Sequence, residues 1–218
     1  MRTPIRRSRS AVARGERLVR PLLVAALAAG LVVAGSSAAQ AQSITDIDTA
    51  GDMVGTNDEH QDPHPTPNQV RNDVLRTTMT HRVRRISIRV KYAEMRRLDD
   101  GHRQSVQMVT NEGIRRNLDT SADSGNWAGS SSISRERDGG QVRCAIRHTM
   151  DYTDNVIAVS FPRRCAGHPR WVKFRVLAKR IVGDGDYYDD AFRDAPFLKW
   201  SHETSAQSRR VYRASIGS

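Results

Sequence analysis

Carboxylates are the first residues in this chain whose type and spacing suit chemistry. Asp184, Asp186, Asp189 and Asp190 crowd the run Gly183-Asp184-Gly185-Asp186-Tyr187-Tyr188-Asp189-Asp190, and Asp194 follows. Calcium takes about six to eight oxygen ligands, and aspartates on a glycine-containing loop can supply them. Asp184, Asp186 and Asp190 are therefore candidate metal ligands, with calcium as the ion. The spacing departs from an EF-hand, because no glycine follows Asp186 and no Glu closes the loop. A solvated acidic loop is the competing reading. Asp46, Asp48 and Asp52, with Gly51, make a second acidic turn, for which turn-forming aspartate is the ordinary account and calcium the alternative. His60, Asp62 and His64 alternate within a proline-rich stretch. Imidazole and carboxylate suit zinc or copper, but three ligands on a linker make a poor tetrahedral site.

Signatures of enzymes are missing. Gly129-Ser130-Ser131-Ser132-Ile133 fails the G-x-S-x-G pattern at its last position. His202-Glu203-Thr204-Ser205-Ala206 begins like a zincin helix but lacks the second histidine one turn on. Neither a Walker loop nor a dinucleotide fingerprint occurs. His148 falls near Asp151 on an expected strand, where a hydrogen-bonded histidine is the simpler account. A pair of glycosidase carboxylates stays open, because its spacing is spatial rather than sequential.

Aromatic side chains give the other candidate surface. Tyr187, Tyr188, Phe192, Phe197 and Trp200 are five of twelve aromatics and lie within one short segment. Such rings stack on sugars or peptides. Tyr187, Tyr188 and Trp200 are the candidate ligand-binding residues. The competing reading buries these rings as a cap on one end of the fold.

All these groups are expected on an exported domain. Residues 1–41 carry a basic start, from Arg2 to Arg20, then the uncharged apolar run Leu22–Gly35, then Ala39-Gln40-Ala41. That order is the layout of a secretory signal peptide, with cleavage after Ala41. The apolar run falls short of the roughly 18 residues that span a bilayer. No later stretch is apolar enough to do so, and no stable membrane span is expected after signal removal; retention of the leader as an anchor is the alternative. Seven of the 35 Lys and Arg, and one of the 24 acids, lie in that leader. The remaining net charge of +5 is modest and argues against a nucleic-acid binder, while leaving weak attraction to anionic envelope polymers. Cys144 and Cys165 are the only cysteines, and in an exported protein a pair is most simply a disulfide.

Period-two patterning supplies the scaffold. In Arg85–Tyr92, Ile86, Ile88, Val90 and Tyr92 point one way and Arg85, Ser87, Arg89 and Lys91 the other, as a half-buried strand requires. Val74–His81, Gln104–Thr110, Ile114–Leu118, Trp127–Ile133 and Trp171–Leu177 are further strands, with Ser43–Asp48 a short first one. Asn111-Glu112-Gly113 is a hairpin turn. Gln141–Cys165 reads as a hairpin turning at Asp154-Asn155, a pair that tolerates positive φ. That loop places Thr153 opposite Val156, and the same register carries Cys144 opposite Cys165. Pro162 bends the final residues. No segment after residue 41 reads as a three-turn helix. The chain thus divides into a signal peptide (1–41), an irregular segment with a Pro/His loop (42–72), a domain (73–200) and a polar, Arg-containing tail (201–218), in which Val211–Ile216 can add a strand. The fold class is all-β, an antiparallel β-sandwich of about seven to nine strands.

The residues Val142-Arg143-Cys144, Asp151-Tyr152, Val159, Pro162-Arg163-Arg164-Cys165 and Pro169-Arg170-Trp171-Val172, with Gly51-Asp52 and the strand Ile86–Tyr92, resemble a pattern in uncharacterised secreted β-sandwich proteins of high-GC Gram-positive bacteria. The resemblance spans most of residues 45–195. It implies export and a β-sandwich and transfers no catalytic residue. The expected function is a non-catalytic extracellular or cell-envelope module that binds an envelope polymer, a glycan or another exported protein. The alternatives are a secreted hydrolase and a calcium-stabilised structural domain.

Overall fold

The structure is a computed structural model that describes residues 42–57, 62–98, 100–197 and 206–214. The expected signal peptide and its expected cleavage point after Ala41, together with His60 and Trp200, lie outside the described residues.

Two antiparallel sheets face one another. The smaller has the order β1 (Gln42–Ile47), β4 (Val74–His81), β5 (Arg85–Tyr92), β10 (Val156–Pro162), β9 (Arg147–Asp151). The larger runs β3 (His64–Pro65), β2 (Val54–Thr56), β12 (Gly185–Asp190), β11 (Trp171–Val182), β6 (Gly101–Thr110), β7 (Arg115–Asp123), β8 (Asn126–Arg135). A two-residue strand, β13 (Val211–Tyr212), pairs with the start of β11. The sandwich and the all-β class are as the sequence predicts; the described residues hold thirteen strands, three of them only two or three residues long. The single helical element among them is a 3-10 turn, Arg163–Ala166.

Alternation of side chains builds the core. Along β5 the sequence RISIRVKY buries Ile86, Ile88, Val90 and Tyr92, and along β11 Val172, Phe174, Val176 and Ala178 are buried. Ile88 and Phe161 from the smaller sheet meet Val106, Leu118 and Phe174 from the larger in one apolar cluster. Burying a side chain of this size contributes about 1.5–3 kcal/mol, so the period-two pattern sets which face of each strand turns inward.

The Cys144–Cys165 disulfide is present, with Cα atoms 6.0 Å apart. The register around it differs from the sequence reading by two residues. Val156 pairs with Asp151 and Ser160 with Arg147, so the loop is Tyr152–Asn155 rather than Asp154-Asn155. The Asp151 carboxylate accepts the amides of Thr153 and Asp154 at 3.0 and 2.9 Å, which fixes a four-residue loop closed by Asn155 at φ 51°. The ladder ends at Ser160–Arg147, and Val142–Ile146 are not a strand. Cys165 reaches its partner from the 3-10 turn that follows Pro162.

Segments read as irregular also carry strands. Within residues 42–72, β1 is the expected first strand and β2 and β3 are additional, and the acidic run 185–190 is β12, paired with β11 on one side and β2 on the other.

Candidate functional site

Two sites emerge, one buried and one open. The buried site gathers carboxylates from both acidic segments of the sequence. Asp48 follows β1, Asp52 lies in the turn before β2, and Asp189 is on β12. One oxygen from each of Asp48, Asp52 and Asp189 lies within 4.8 Å of the others. Their exposures are 7, 7 and 2%, and Asp73, beside them, is fully buried.

Backbone amides and Gly51 hold this arrangement. Gly51 turns the chain at φ +89°, and its amide donates to Asp73 Oδ2 at 2.9 Å. Asp189 Oδ2 accepts the Val74 amide at 2.5 Å, and Asp48 Oδ1 accepts the Thr49 amide at 3.0 Å. Asp48 Oδ2, Asp52 Oδ1 and Asp73 Oδ1 are buried and accept no hydrogen bond. Burial, and then the neighbouring charge of Asp52, pushes the Asp48 carboxyl up to about 8. Burial and the charge of Asp73 push Asp52 up to about 6. Asp189 is driven well above the ordinary carboxylate range by burial and by Asp48.

The metal candidates Asp184, Asp186 and Asp190 are not brought together as a set. Asp184 sits exposed in the β11–β12 turn. Asp186 makes a 2.6 Å ion pair with Lys179 and accepts the Tyr188 hydroxyl at 3.0 Å. Asp190 is buried but accepts the amides of Ala206 and Phe192. The reason is the strand: alternation along β12 points Asp189 inward with Ala178, and Asp186 and Asp190 to the other face. Asp46 lies on β1 opposite Thr77, while Asp62 and His64 are exposed. His148 pairs with Val159 in the β9–β10 ladder.

Among the described residues, the aromatic segment does not present a common platform. The Arg180 guanidinium lies 4.6 Å from the Tyr187 ring centre, and Lys179 lies 5.3 Å from that of Tyr188. Phe197 is buried and Phe192 packs against the core. A different aromatic group forms elsewhere. Trp127 and Tyr152 meet edge to face at 5.9 Å, His102 lies 6.0 Å from each, and Arg97 covers Tyr152 at 4.8 Å. Its members come from distant parts of the sequence, so spacing gave no signal for it.

The open site is the outer face of the smaller sheet. Outward positions on adjacent strands make rows: Ser43, Thr80, Ser87, Ser160 and Arg147, then Thr45, Thr78, Arg89, Ala158 and Thr149. Hydroxyls pair across the β1–β4 ladder, Ser43 with Thr80 and Thr45 with Thr78, each at 3.2 Å. Between the rows is a depression of about 320 Å³ flanked by Arg89 and Arg147. Arg85 reaches across to donate to the Ser160 carbonyl at 2.8 Å and hydroxyl at 2.9 Å. Arg76, Arg89 and Arg147 are exposed, and no carboxylate among the described residues forms an ion pair with them. The strand pattern in the sequence already placed Arg85, Arg89 and Lys91 on one wet face; the pairing with β4, and through β10 with β9, that adds Arg76 and Arg147 required the structure.

The chain matches no family model, no curated protein and no solved structure. Among the described residues, no helix is long and apolar enough to cross a membrane.

Proposed function

We propose that the protein is an exported, non-catalytic envelope module that binds an anionic polymer on the outer face of its five-stranded sheet. The observation that carries this reading is the pairing of Arg89 and Arg147 across a hydroxyl-lined depression, with Arg76 exposed on the same face. Guanidinium groups with no acidic neighbour recognise phosphate, sulfate or carboxylate oxygens in a forked geometry. The threonine and serine hydroxyls between them both donate and accept, and so suit a sugar or polyol backbone. The Ser and Thr side chains between the arginines are short and let an extended polymer lie close. The leader-like first 41 residues, the disulfide and the resemblance to exported β-sandwich proteins support a location outside the cytoplasm.

The test is retention of the purified protein on an immobilised sulfated glycan, compared with a neutral glucan. Retention at low ionic strength, lost as salt rises and lost in Arg89→Glu with Arg147→Glu, is the expected result. Equal retention of that double variant, or passage of the wild-type protein straight through at low salt, contradicts the reading.

A further inference from the structure

We infer that Asp48, Asp52 and Asp189 form a divalent-cation site, with calcium as its ligand, that ties the turn after β1 to strand β12. This inference does not rest on the polymer-binding reading, because the site is buried and belongs to different residues.

The first support is geometric. Oxygens that share one calcium ion lie about 2.3–2.6 Å from it, so any two of them are at most about 5 Å apart. One oxygen from each of these three carboxylates meets that limit, with all separations within 4.8 Å. Asp48 and Asp52 come from the turn between β1 and β2 and Asp189 from β12, which gives a bound ion leverage over the tertiary structure.

The second support is independent of clustering. Asp48 Oδ2 and Asp52 Oδ1 have no hydrogen-bond partner although both residues are more than nine-tenths buried. Buried polar atoms are almost always satisfied, and an orphaned carboxylate oxygen is among the costliest exceptions. Nearby charge does not relieve them. The largest charge effects on Asp48, Asp52 and Asp189 come from one another and from Asp73, Asp190 and Asp194, all of them acidic. The other amide contacts are already placed: Asp73 steadies Gly51, and Asp190 takes Phe192 and Ala206.

Donor chemistry selects the ion. Every candidate donor is a hard carboxylate oxygen, without imidazole or thiolate, which disfavours zinc and copper. Magnesium demands a near-ideal octahedron at about 2.0–2.1 Å, whereas calcium accepts irregular oxygen sets and completes its shell with water or backbone carbonyls. Carboxylates held by one turn and one strand fit the more tolerant ion.

The test uses the full chain. Thermal unfolding is followed in EDTA and in excess calcium chloride at matched ionic strength set with sodium chloride, and calcium chloride is titrated calorimetrically into the metal-free protein. The expected result is binding of one calcium per chain and a melting temperature higher by about 5–10 °C at calcium a hundredfold above Kd. Asp52→Asn and Asp189→Asn should each abolish the shift, while Asp184→Asn with Asp186→Asn should retain it. Each of the first two removes a buried like charge, so folding is expected to survive; should either fail to fold, the calorimetric titration of the wild-type protein decides alone. No binding heat with an unchanged melting temperature overturns the inference, as does a shift that sodium chloride reproduces. These outcomes are separate from those of the glycan experiment, whose variants leave the aspartates untouched.

Discussion

The Tyr92 hydroxyl donates a 2.9 Å hydrogen bond to Gln104 Oε1 in the middle of the sandwich, joining β5 of one sheet to β6 of the other. Both residues are fully buried, so the bond replaces water for two groups that cannot otherwise reach it. Tyr92→Phe removes the donor and leaves Gln104 Oε1 unsatisfied, at an expected cost of about 1–3 kcal/mol. Combining Tyr92→Phe with Gln104→Leu removes both partners and should recover most of that loss. Urea unfolding of the two variants checks this. Additive losses in the double variant would show that the bond is not what couples these positions.

The disulfide supports the second prediction. Cys144–Cys165 closes a loop whose ends are 21 residues apart. A loop of that size costs the unfolded chain about 3 kcal/mol of conformational freedom. Cys144→Ser with Cys165→Ser should lower unfolding free energy by about that amount while keeping the sheet, because β9 and β10 stay paired from Val156–Asp151 to Ser160–Arg147. Near-identical far-ultraviolet spectra with a lower urea midpoint is the expected pair of observations. An unchanged midpoint contradicts it.

Much of the scaffold is legible in the sequence because burial acts on alternate residues. Val74–His81 and Arg85–Tyr92 are strands with the bounds that their patterning predicts. The cysteine pairing is also legible, from count and context. The hairpin register is not, since a side chain decided it: Asp151 captures two amides and lengthens the loop. The run 185–190 reads as a loop because aspartates rarely populate strands. It is nevertheless a strand, held between the ladders of β11 and β2. That pairing turned Asp189 away from its neighbours Asp186 and Asp190 and toward Asp48 and Asp52. Each acidic turn was visible in the sequence, but their meeting depends on which strands pair and so leaves no local trace.

His81 provides a prediction about acid. It is fully buried on β4, its Nδ1–H donates to the Val211 carbonyl at 3.2 Å, and its Nε2 has no hydrogen-bond partner. Burial lowers its affinity for a proton, outweighing the opposing hydrogen bond to the Val211 carbonyl, and the charges of Arg163 and Arg213 add to the lowering. Above the ordinary histidine range the folded and unfolded forms are both neutral. As pH falls through about 6.5, the unfolded chain takes up a proton that the folded chain refuses, so stability drops until the depressed native value is passed. His81→Gln should remove this component. The difference between wild-type and variant melting temperatures, followed from pH 7 to pH 5, isolates it from other titrations. A constant difference over that range would mean that His81 is not a source of acid sensitivity.

The acidic cluster predicts the opposite slope when metal is withheld. Asp48 and Asp52 are raised to about 8 and about 6, chiefly by burial, then by Asp52 and Asp73 respectively. Asp73, Asp189 and Asp190 are raised too, chiefly by burial; at Asp190 the amides of Ala206 and Phe192 and the charges of Arg193 and Arg175 oppose the rise, and Asp194 adds to the repulsion on Asp48 and Asp52. In the unfolded chain these groups ionise near pH 4. Between about pH 4 and pH 8 the folded form therefore holds more protons than the unfolded form. Stability is full below that window and declines as pH rises above about 4, the Asp52 contribution levelling off near 6 and that of Asp48 near 8. In EDTA, the urea midpoint should fall from pH 5 to pH 8.5, and Asp52→Asn should flatten the decline by removing one charge that must be buried. A midpoint that rises or stays level over this range in EDTA would show that the three carboxylates are not the buried, mutually repelling group described.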